Sequence, residues 1–175
     1  MKQFHIINEI QEVLTEMEES FSTEELIFKM KKLGQQMTAQ LELNLSGKGM
    51  TGVQVYFMVY ILRHHPKGTY LTELCRETGM SKSTLSALIK KLREKDYLYI
   101  LADPDDVRKK KVLPTEKLAA EGEGFVRKAE QMETRICSVL DQQEKSRFGS
   151  LEEKLLAQFA RMERNEKSRQ EVYLQ

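Results

Sequence analysis

The 175-residue chain has no long apolar run and only two cysteines. Cys75 and Cys137 lie far apart in the sequence, so a disulfide framework is not expected, and reduced thiols in a cytosol are the default. No apolar segment approaches the roughly 20 residues that cross a membrane. Asn8 and Glu9 interrupt the apolar residues near Met1, which excludes a signal-peptide pattern. We therefore expect a cytoplasmic protein with no membrane partner.

Sequence motifs for catalysis are also missing. The chain has no phosphate-binding glycine loop, no Ser/His/Asp order typical of hydrolases and no zinc-ligand spacing. Thr115 and Glu116 are typical of a helix start and do not indicate a nucleophile with its base. We do not expect an enzyme, a cofactor or a bound metal.

Each cysteine has two interpretations. Cys75 is either a buried structural residue or a metal ligand. It lacks a C-x-C partner and lies on the predicted inward face of its helix, so the structural role is favoured. Cys137 has a redox role as its alternative, but Arg135 is the only basic residue beside it in sequence, which does not favour a reactive thiolate.

The histidine pair His64-His65 is a candidate for metal or effector binding. Adjacent residues on a helix point about 100° apart, unlike the i, i+4 histidines that share a zinc ion. The second interpretation is that the pair lines an effector crevice near Tyr56 and Tyr60.

Charge is unevenly distributed along the chain. The net charge is +1 overall, but residues 1–50 carry −3, residues 51–114 carry +5 and residues 115–175 carry −1. A local basic excess is what a nucleic-acid surface requires. The middle of the chain is therefore the candidate binding region.

The segment MSKSTLSALIKKL, residues 80–92, predicts an amphipathic helix that begins at Lys82. Its apolar residues fall at the i, i+3, i+4, i+7 spacing of one buried stripe. The opposite face is small, hydroxylated and cationic, without acidic partners. That face is either an ordinary solvated surface or one that lies against a polyanion. The stripe is Leu85, Leu88, Ile89 and Leu92, and the polar face is Ser83, Ser86, Ala87 and Lys90, with Lys91 at its edge.

A helix-turn-helix followed by a hairpin surrounds this segment. Residues 69–78 predict a helix that ends at Gly79, and Ser81 is a suitable N-cap for the next one. Residues 97–101 and 109–113 are β-rich, and the Asp-Pro-Asp-Asp turn between them favours a hairpin. Such a hairpin after a recognition helix is a wing, here rich in lysine.

Amphipathic helices flank this winged helix on both sides. We predict helices over the first 19 residues, from Ser22 to near Gly47, from Gly52 to about Arg63, from Thr115 to about Cys137, and from Asp141 onward. The expected fold is mostly α with a small β wing. It comprises N-terminal dimerisation helices (1–48), a winged helix-turn-helix DNA-binding domain (49–114) and C-terminal dimerisation helices (115–175).

The terminal helices have no obvious core of their own. They could form an intramolecular bundle, but a two-fold dimer is the more economical arrangement, and we favour it. A dimer would also place two recognition helices about one DNA turn apart on a near-palindromic site.

Over residues 22–165 the sequence resembles the MarR family of bacterial winged-helix transcription regulators. The resemblance is carried by MTGVQ (50–54), LTELCRETGMSKSTLSALIKKLREKDYLY (71–99) and DPDDVRKKKVLPTEK (103–117). It implies a homodimer that binds double-stranded DNA, with a small-molecule effector of unknown identity. The DNA-binding residues that it implies are Ser81, Lys82, Ser83, Thr84, Ser86, Ala87, Lys90 and Lys91 in the recognition helix, and Asp106, Arg108, Lys109 and Lys110 in the wing.

Two positions depart from the family pattern. Ala87 stands where many members have a long polar or basic side chain, so one base contact is reduced to a thymine-methyl contact. Leu118 stands where glycine is frequent, which affects how the following helix begins. The expected function is a repressor tuned by a small ligand. The alternative is a winged-helix protein–protein interaction module without sequence-specific DNA binding.

Overall fold

The computed structural model describes residues 22–102 and 109–173. The helices and strands follow in the order α1 (Thr23–Leu45), α2 (Gly52–His64), β1 (Thr69–Tyr70), α3 (Leu71–Thr78), α4 (Lys82–Glu94), β2 (Leu98–Ala102), β3 (Lys110–Pro114), α5 (Glu116–Ile136), a 3-10 turn (Cys137–Val139) and α6 (Gln142–Tyr173). The prediction of a mostly α chain with a small β wing is confirmed.

The chain divides into two compact units within α5, between Ala129 and Glu130. The first unit contains the winged helix, and the second contains the end of α5 and all of α6. The boundaries predicted after residues 48 and 114 remain predictions, and the helix predicted over the first 19 residues lies outside the described residues. Across the described residues, no helix is both long and apolar enough to cross a membrane.

Helix starts follow their capping residues. Ser22 accepts a hydrogen bond from the Glu25 backbone N–H at the start of α1. Thr51 and Gln54 form a reciprocal capping box at the start of α2, and Asp141 and Glu144 form another before α6. Side-chain caps satisfy N–H groups that have no partner within the helix, so these starts were predictable from local sequence.

α2 is the central helix of the first unit. It is buried on nearly all sides, and α1 crosses it through Leu41 and Leu45, which are both buried. The crossing is close because Gly52 has no side chain: a Cβ there would overlap the backbone carbonyl of Leu41. The core is completed by side chains from α3, α4, the sheet and α5, namely Leu74, Leu85, Ile89, Leu92, Tyr97, Leu98, Val112 and Leu118.

The sheet has three antiparallel strands in the order β1-β3-β2. Thr69 pairs with Val112 in β3, and Ile100 in β2 pairs with the same residue from the other side. The prediction of one helix over residues 69–78 is therefore wrong at its first two residues. Thr69 and Tyr70 extend along β3, and the helix begins at Leu71, where Glu73 accepts a hydrogen bond from the Thr69 hydroxyl.

The helix-turn-helix is formed by α3 and α4. α3 ends at Gly79, whose φ of +67° is the left-handed conformation that glycine adopts without a Cβ penalty. Ser81 then caps α4 by accepting from the Thr84 backbone N–H. Leu85, Ile89 and Leu92 are buried as predicted, whereas Leu88 is half-buried.

Candidate nucleic-acid interface

The polar face of α4 is exposed along its whole length, as the sequence predicted. The residues Ser83, Ser86, Ala87, Lys90 and Lys91 are all exposed, while Leu85 and Ile89 on the opposite side are buried. An orientation of this kind follows from the helical period, because the apolar stripe must face the core. The small residues on the outer face allow the helix backbone to approach a partner closely.

The first turn of α4 carries a cluster of hydroxyl groups and has no acidic residue. The Ser81 Oγ lies 2.9 Å from Ser83 Oγ and 2.8 Å from Thr84 Oγ1, and it also accepts from the Thr84 backbone N–H. Ser81 is thus a structural cap as well as a predicted DNA contact. Since backbone N–H groups and the helix dipole favour negative charge at a helix N-terminus, this end of α4 suits a phosphate.

A cleft of roughly 580 Å³ separates α4 from the sheet. Its floor includes Ile89 and Val112. Its cationic side chains come from both walls, so the recognition helix and the wing present positive charge to one space. These cations are Lys82, Lys90 and Arg93 of α4 and Lys109 and Lys110 of the wing.

Several residues that line the cleft were not predicted to belong to the site, and the polar ones are Tyr70, Thr72 and Arg93. Arg93 lies one turn beyond Lys90 on the same helix face, and that i, i+3 spacing was visible in the sequence. Tyr70 and Thr72 also line the cleft. Tyr70 is paired with Lys111 of β3, and Thr72 follows in the first turn of α3. The local sequence does not indicate the pairing of β1 with β3.

The α4 face is less free of acidic residues than the sequence suggested. The Lys90 Nζ lies 4.0 Å from a Glu94 carboxylate oxygen one turn further along, and both side chains are largely exposed. An exposed pair of this length contributes at most a few tenths of a kcal/mol. Lys90 therefore remains available to exchange Glu94 for a phosphate.

The tip of the wing lies outside the described residues. The predicted roles of Asp106 and Arg108 consequently stay predictions. Lys109, just before β3, and Lys110, its first residue, are described and exposed. Leu118 is fully buried in the first turns of α5, so its side chain contributes to the core at a position where the family often has glycine.

A polar cluster joins the end of α2 to α3. Glu77 Oε2 accepts a 2.8 Å hydrogen bond from the Tyr60 hydroxyl and lies 2.6 Å from His65 Nε2. These contacts hold the pKa of Glu77 below its usual range, the Tyr60 hydrogen bond being the larger cause. Burial, together with Glu77, raises the pKa of Tyr60 to about 12. The cluster fixes the first helix of the helix-turn-helix on α2.

The thiols and potential metal ligands give no further site. Cys75 and Cys137 are both half-buried and neither is in a disulfide, so Cys75 is less buried than predicted. Within residues 22–102 and 109–173, no three His, Cys, Asp or Glu side chains are grouped as metal ligands. The ring of His64 lies against that of Tyr60, with centroids 4.6 Å apart, and the predicted effector crevice stays a prediction.

Comparison with known proteins agrees with this architecture. The model of the MarR family matches residues 48–109. A search of curated proteins finds no match.

Among solved structures, the chain is similar to the MepR–DNA complex of S. aureus, with 22% identity, a TM-score of 0.67, and coverage of 79% of this chain and 99% of that one. It is also similar to BpsR of Bordetella bronchiseptica, whose DNA binding is regulated by 6-hydroxynicotinic acid, with 21% identity, a TM-score of 0.64, and coverage of 75% and 98%.

The MarR regulator of Oenococcus oeni PSU-1 shares 20% identity with a TM-score of 0.65, over 75% of this chain and 98% of that one. The family match over residues 48–109 spans α2, the helix-turn-helix and β2. It includes the segments MTGVQ (50–54) and 71–99 that carried the resemblance, and the beginning of the third segment, 103–117. Residues 48–109 therefore match the model of the MarR family, and the chain has the winged-helix fold of solved MarR-type transcriptional regulators.

Proposed function

We propose that the chain is a transcriptional regulator that binds near-palindromic double-stranded DNA as a homodimer. The observation that carries the proposal is the cleft in which α4 and the wing together present five cationic side chains. Phosphate contacts from such cations supply most of the affinity of a DNA-binding protein, while base edges in the groove supply specificity.

In this proposal, α4 enters the major groove. Its hydroxylated N-terminus, Ser81 to Thr84, meets phosphates and base edges, and Ser86, Lys90 and Lys91 continue along the groove. Lys109 and Lys110 bind phosphate beside it. Arg108 enters the minor groove, where the narrow walls concentrate negative potential, and Asp106 positions the wing.

The homodimer is supported by two apolar faces that the single chain leaves exposed. In α1, the side chains of Leu26, Leu33 and Met37 are 39%, 51% and 40% exposed. In α6, apolar residues recur at the three- and four-residue spacing of a helix–helix seam. Phe148, Leu151, Phe159 and Met162 are exposed, and Leu155 between them is half-buried. Exposed apolar surface of this extent marks an interface in a protein that must remain in water.

Regulation by a small molecule is part of the proposal because two structural neighbours are described with ligands. BpsR responds to 6-hydroxynicotinic acid, and PcaV of Streptomyces coelicolor was solved with its natural ligand. A dimer lying on an operator blocks access to it, so we propose a repressor whose affinity for DNA changes when the ligand binds.

Selection of bound sequences from a random duplex DNA library tests the proposal. We expect enrichment of a near-palindrome with half-sites about one turn apart, and an affinity that falls steeply as salt is raised. Absence of enrichment together with salt-insensitive binding would overturn the proposal and favour a winged helix that docks a protein.

A further inference from the structure

Hydrogen bonds connect the residues after the C-terminus of α4 to the beginning of α5. We call this set of contacts the α4–α5 joint. It consists of Lys95, Asp96 and Tyr97 on one side and Thr115 and Lys117 on the other. The two sides are far apart in sequence, because the whole wing lies between them.

All three consecutive carbonyls on the α4 side accept hydrogen bonds from α5 or its cap. Lys117 Nζ donates to the Lys95 carbonyl at 2.7 Å. The Thr115 hydroxyl donates to the Asp96 carbonyl at 2.7 Å, and the Thr115 backbone N–H donates to the Tyr97 carbonyl at 3.1 Å. A charge-assisted bond and two neutral bonds thus hold one turn of backbone.

The backbone turn after α4, residues 95–97, has a non-glycine residue in the left-handed conformation. The backbone N–H of Tyr97 bonds to the Leu92 carbonyl and that of Asp96 to the Arg93 carbonyl, the pattern of a Schellman helix end. Asp96 has a φ of +62° in the position where glycine is usual. The left-handed conformation costs free energy for a residue with a Cβ, and the two hydrogen bonds of the helix end and the contacts from Thr115 and Lys117 offset that cost.

The side chain of Tyr97 adds further contacts. It is 4% exposed, its hydroxyl donates to Glu121 Oε2 at 3.2 Å, and Lys117 Nζ lies 4.3 Å from the centre of its ring. Lys48, from the loop before α2, also pairs with Glu121 Oε2 at 2.6 Å. The end of α4 therefore cannot rotate relative to the start of α5 without breaking several contacts at once.

α5 is one continuous helix from this joint to Ile136, beyond the point where the chain divides into its two units. In the dimer proposed above, residues 115–175 belong to the dimerisation helices. The joint then lies where each recognition helix is connected to the segment that would pair the two subunits.

We propose that Thr115 and Lys117 are positioning residues that set the half-site spacing accepted by the dimer. The inference rests on the proposed function. A stiff joint allows both recognition helices to enter the groove at one separation, since adding a base pair moves a half-site by about 3.4 Å along the DNA and also rotates it. A loosened joint lets each winged helix pivot, so neighbouring spacings are accepted.

The test uses the full-length protein and duplexes built from the half-site selected in the random-library experiment. The half-sites are placed at the selected spacing and at spacings one and two base pairs longer or shorter, with a single half-site as reference. The variants are Lys117→Met, which removes the donor but keeps an aliphatic chain, and Thr115→Val. Thr115→Ser should restore the hydroxyl contacts, and Lys128→Met is the matched control on the exposed side of α5.

In Lys117→Met and Thr115→Val, we expect the preference for the selected spacing over its neighbours to fall by about 2- to 30-fold. Affinity for the single half-site and its salt slope should stay unchanged, because no DNA contact is altered. Thr115→Ser and Lys128→Met should keep the wild-type preference.

Three results would overturn the inference while leaving DNA binding in place: no spacing preference in the wild type, an unaltered preference in both variants, or an equal loss of affinity for single half-sites. Absence of any selected half-site would instead contradict the proposed function itself.

Discussion

Glu42 in α1 accepts a 2.7 Å hydrogen bond from the backbone N–H of Gly52, the first residue of α2. The carboxylate lies at the positive end of the α2 dipole and satisfies an N–H group that has no partner within its own helix. The contact forms because the two helices meet backbone to backbone at Gly52.

A methyl group at Gly52 should therefore be poorly tolerated. Gly52→Ala places a Cβ against the Leu41 carbonyl, where backbone rather than a flexible side chain must move. We expect the free energy of unfolding to fall by about 3 kcal/mol, the upper part of the usual range for overpacking.

The matched control is Gly124→Ala in α5, where a Cβ meets nothing within 4 Å. There, helix propensity should raise stability by about 0.5–1 kcal/mol. Urea denaturation of both variants measures the contrast, and equal stabilities would contradict the close crossing.

The apolar seam of α6 can be tested by charge. Leu151→Asp should raise the dissociation constant of the dimer by at least about 100-fold, because both subunits would bury an unpaired carboxylate. Ala160→Asp, on the opposite side of α6, is the control for helix propensity and charge. Sedimentation across a concentration series measures both. A dimer that survives Leu151→Asp, or a wild-type monomer, would refute this seam as the interface.

Lys90 is expected to contact phosphate. Lys90→Ala should weaken binding to all DNA sequences alike and lower the salt slope of the affinity by about one unit. Titration of specific and unrelated duplexes at several salt concentrations gives the slope. Lys128→Ala, an exposed lysine on α5, should leave it unchanged. An unaltered slope in Lys90→Ala would mean that its ammonium does not displace a counterion from DNA.

Arg108 is expected to read the minor groove. Arg108→Ala should weaken operator binding by about 5- to 150-fold while the dimer persists. Fluorescence anisotropy with a labelled operator measures the affinity, and sedimentation checks the dimer. Arg127→Ala on α5 serves as the control for loss of one arginine. Unchanged affinity in Arg108→Ala would remove the wing from the DNA interface.

The cluster around Glu77 makes stability depend on pH with a definite sign. The pKa of Glu77 is lowered in the folded chain, first by the Tyr60 hydrogen bond and then by His65. The stabilisation that the Glu77 contacts contribute is therefore complete above the ordinary glutamate pKa of 4.5. It is lost as the pH falls through the lower pKa of Glu77 in the folded chain.

Glu77→Gln should accordingly be less stable than the wild type at pH 7, and the difference should shrink below pH 4.5. Denaturant titrations between neutral and acidic pH follow the difference. Glu123→Gln, an exposed residue of α5, should differ little from the wild type at any pH. A difference in the free energy of unfolding between Glu77→Gln and the wild type that grows in acid would contradict the contacts assigned to Glu77.

Local sequence predicted the helices well because their signals are local. The caps at Ser22, Thr51 and Asp141 each involve residues at most three positions apart, and the α4 stripe is a simple helical period. The prediction that the polar face of α4 is exposed is confirmed, because that face lies opposite the apolar stripe and follows from the same helical period.

The sequence did not predict strand β1 or the hydrogen bonds of Thr115, because both depend on residues far away in the chain. Thr69 and Tyr70 form a strand because β3, some 40 residues later, offers its free edge. Two residues cannot display a β period of their own. The hydrogen bonds of Thr115 to the carbonyls before β2 are equally non-local, so Thr115 could be recognised as a helix cap but not as part of the joint.

The central position of β3 fixes where its lysines lie. β1 and β2 pair with β3 along its two edges, so Lys111 lies between Tyr70 and Leu101, and Lys110 lies opposite Ala102. Because both neighbouring strands set this register, the positions of the two lysines depend on backbone pairing on both sides of β3. Under the proposed function, the strand would therefore act as a fixed frame for the cations that bind phosphate.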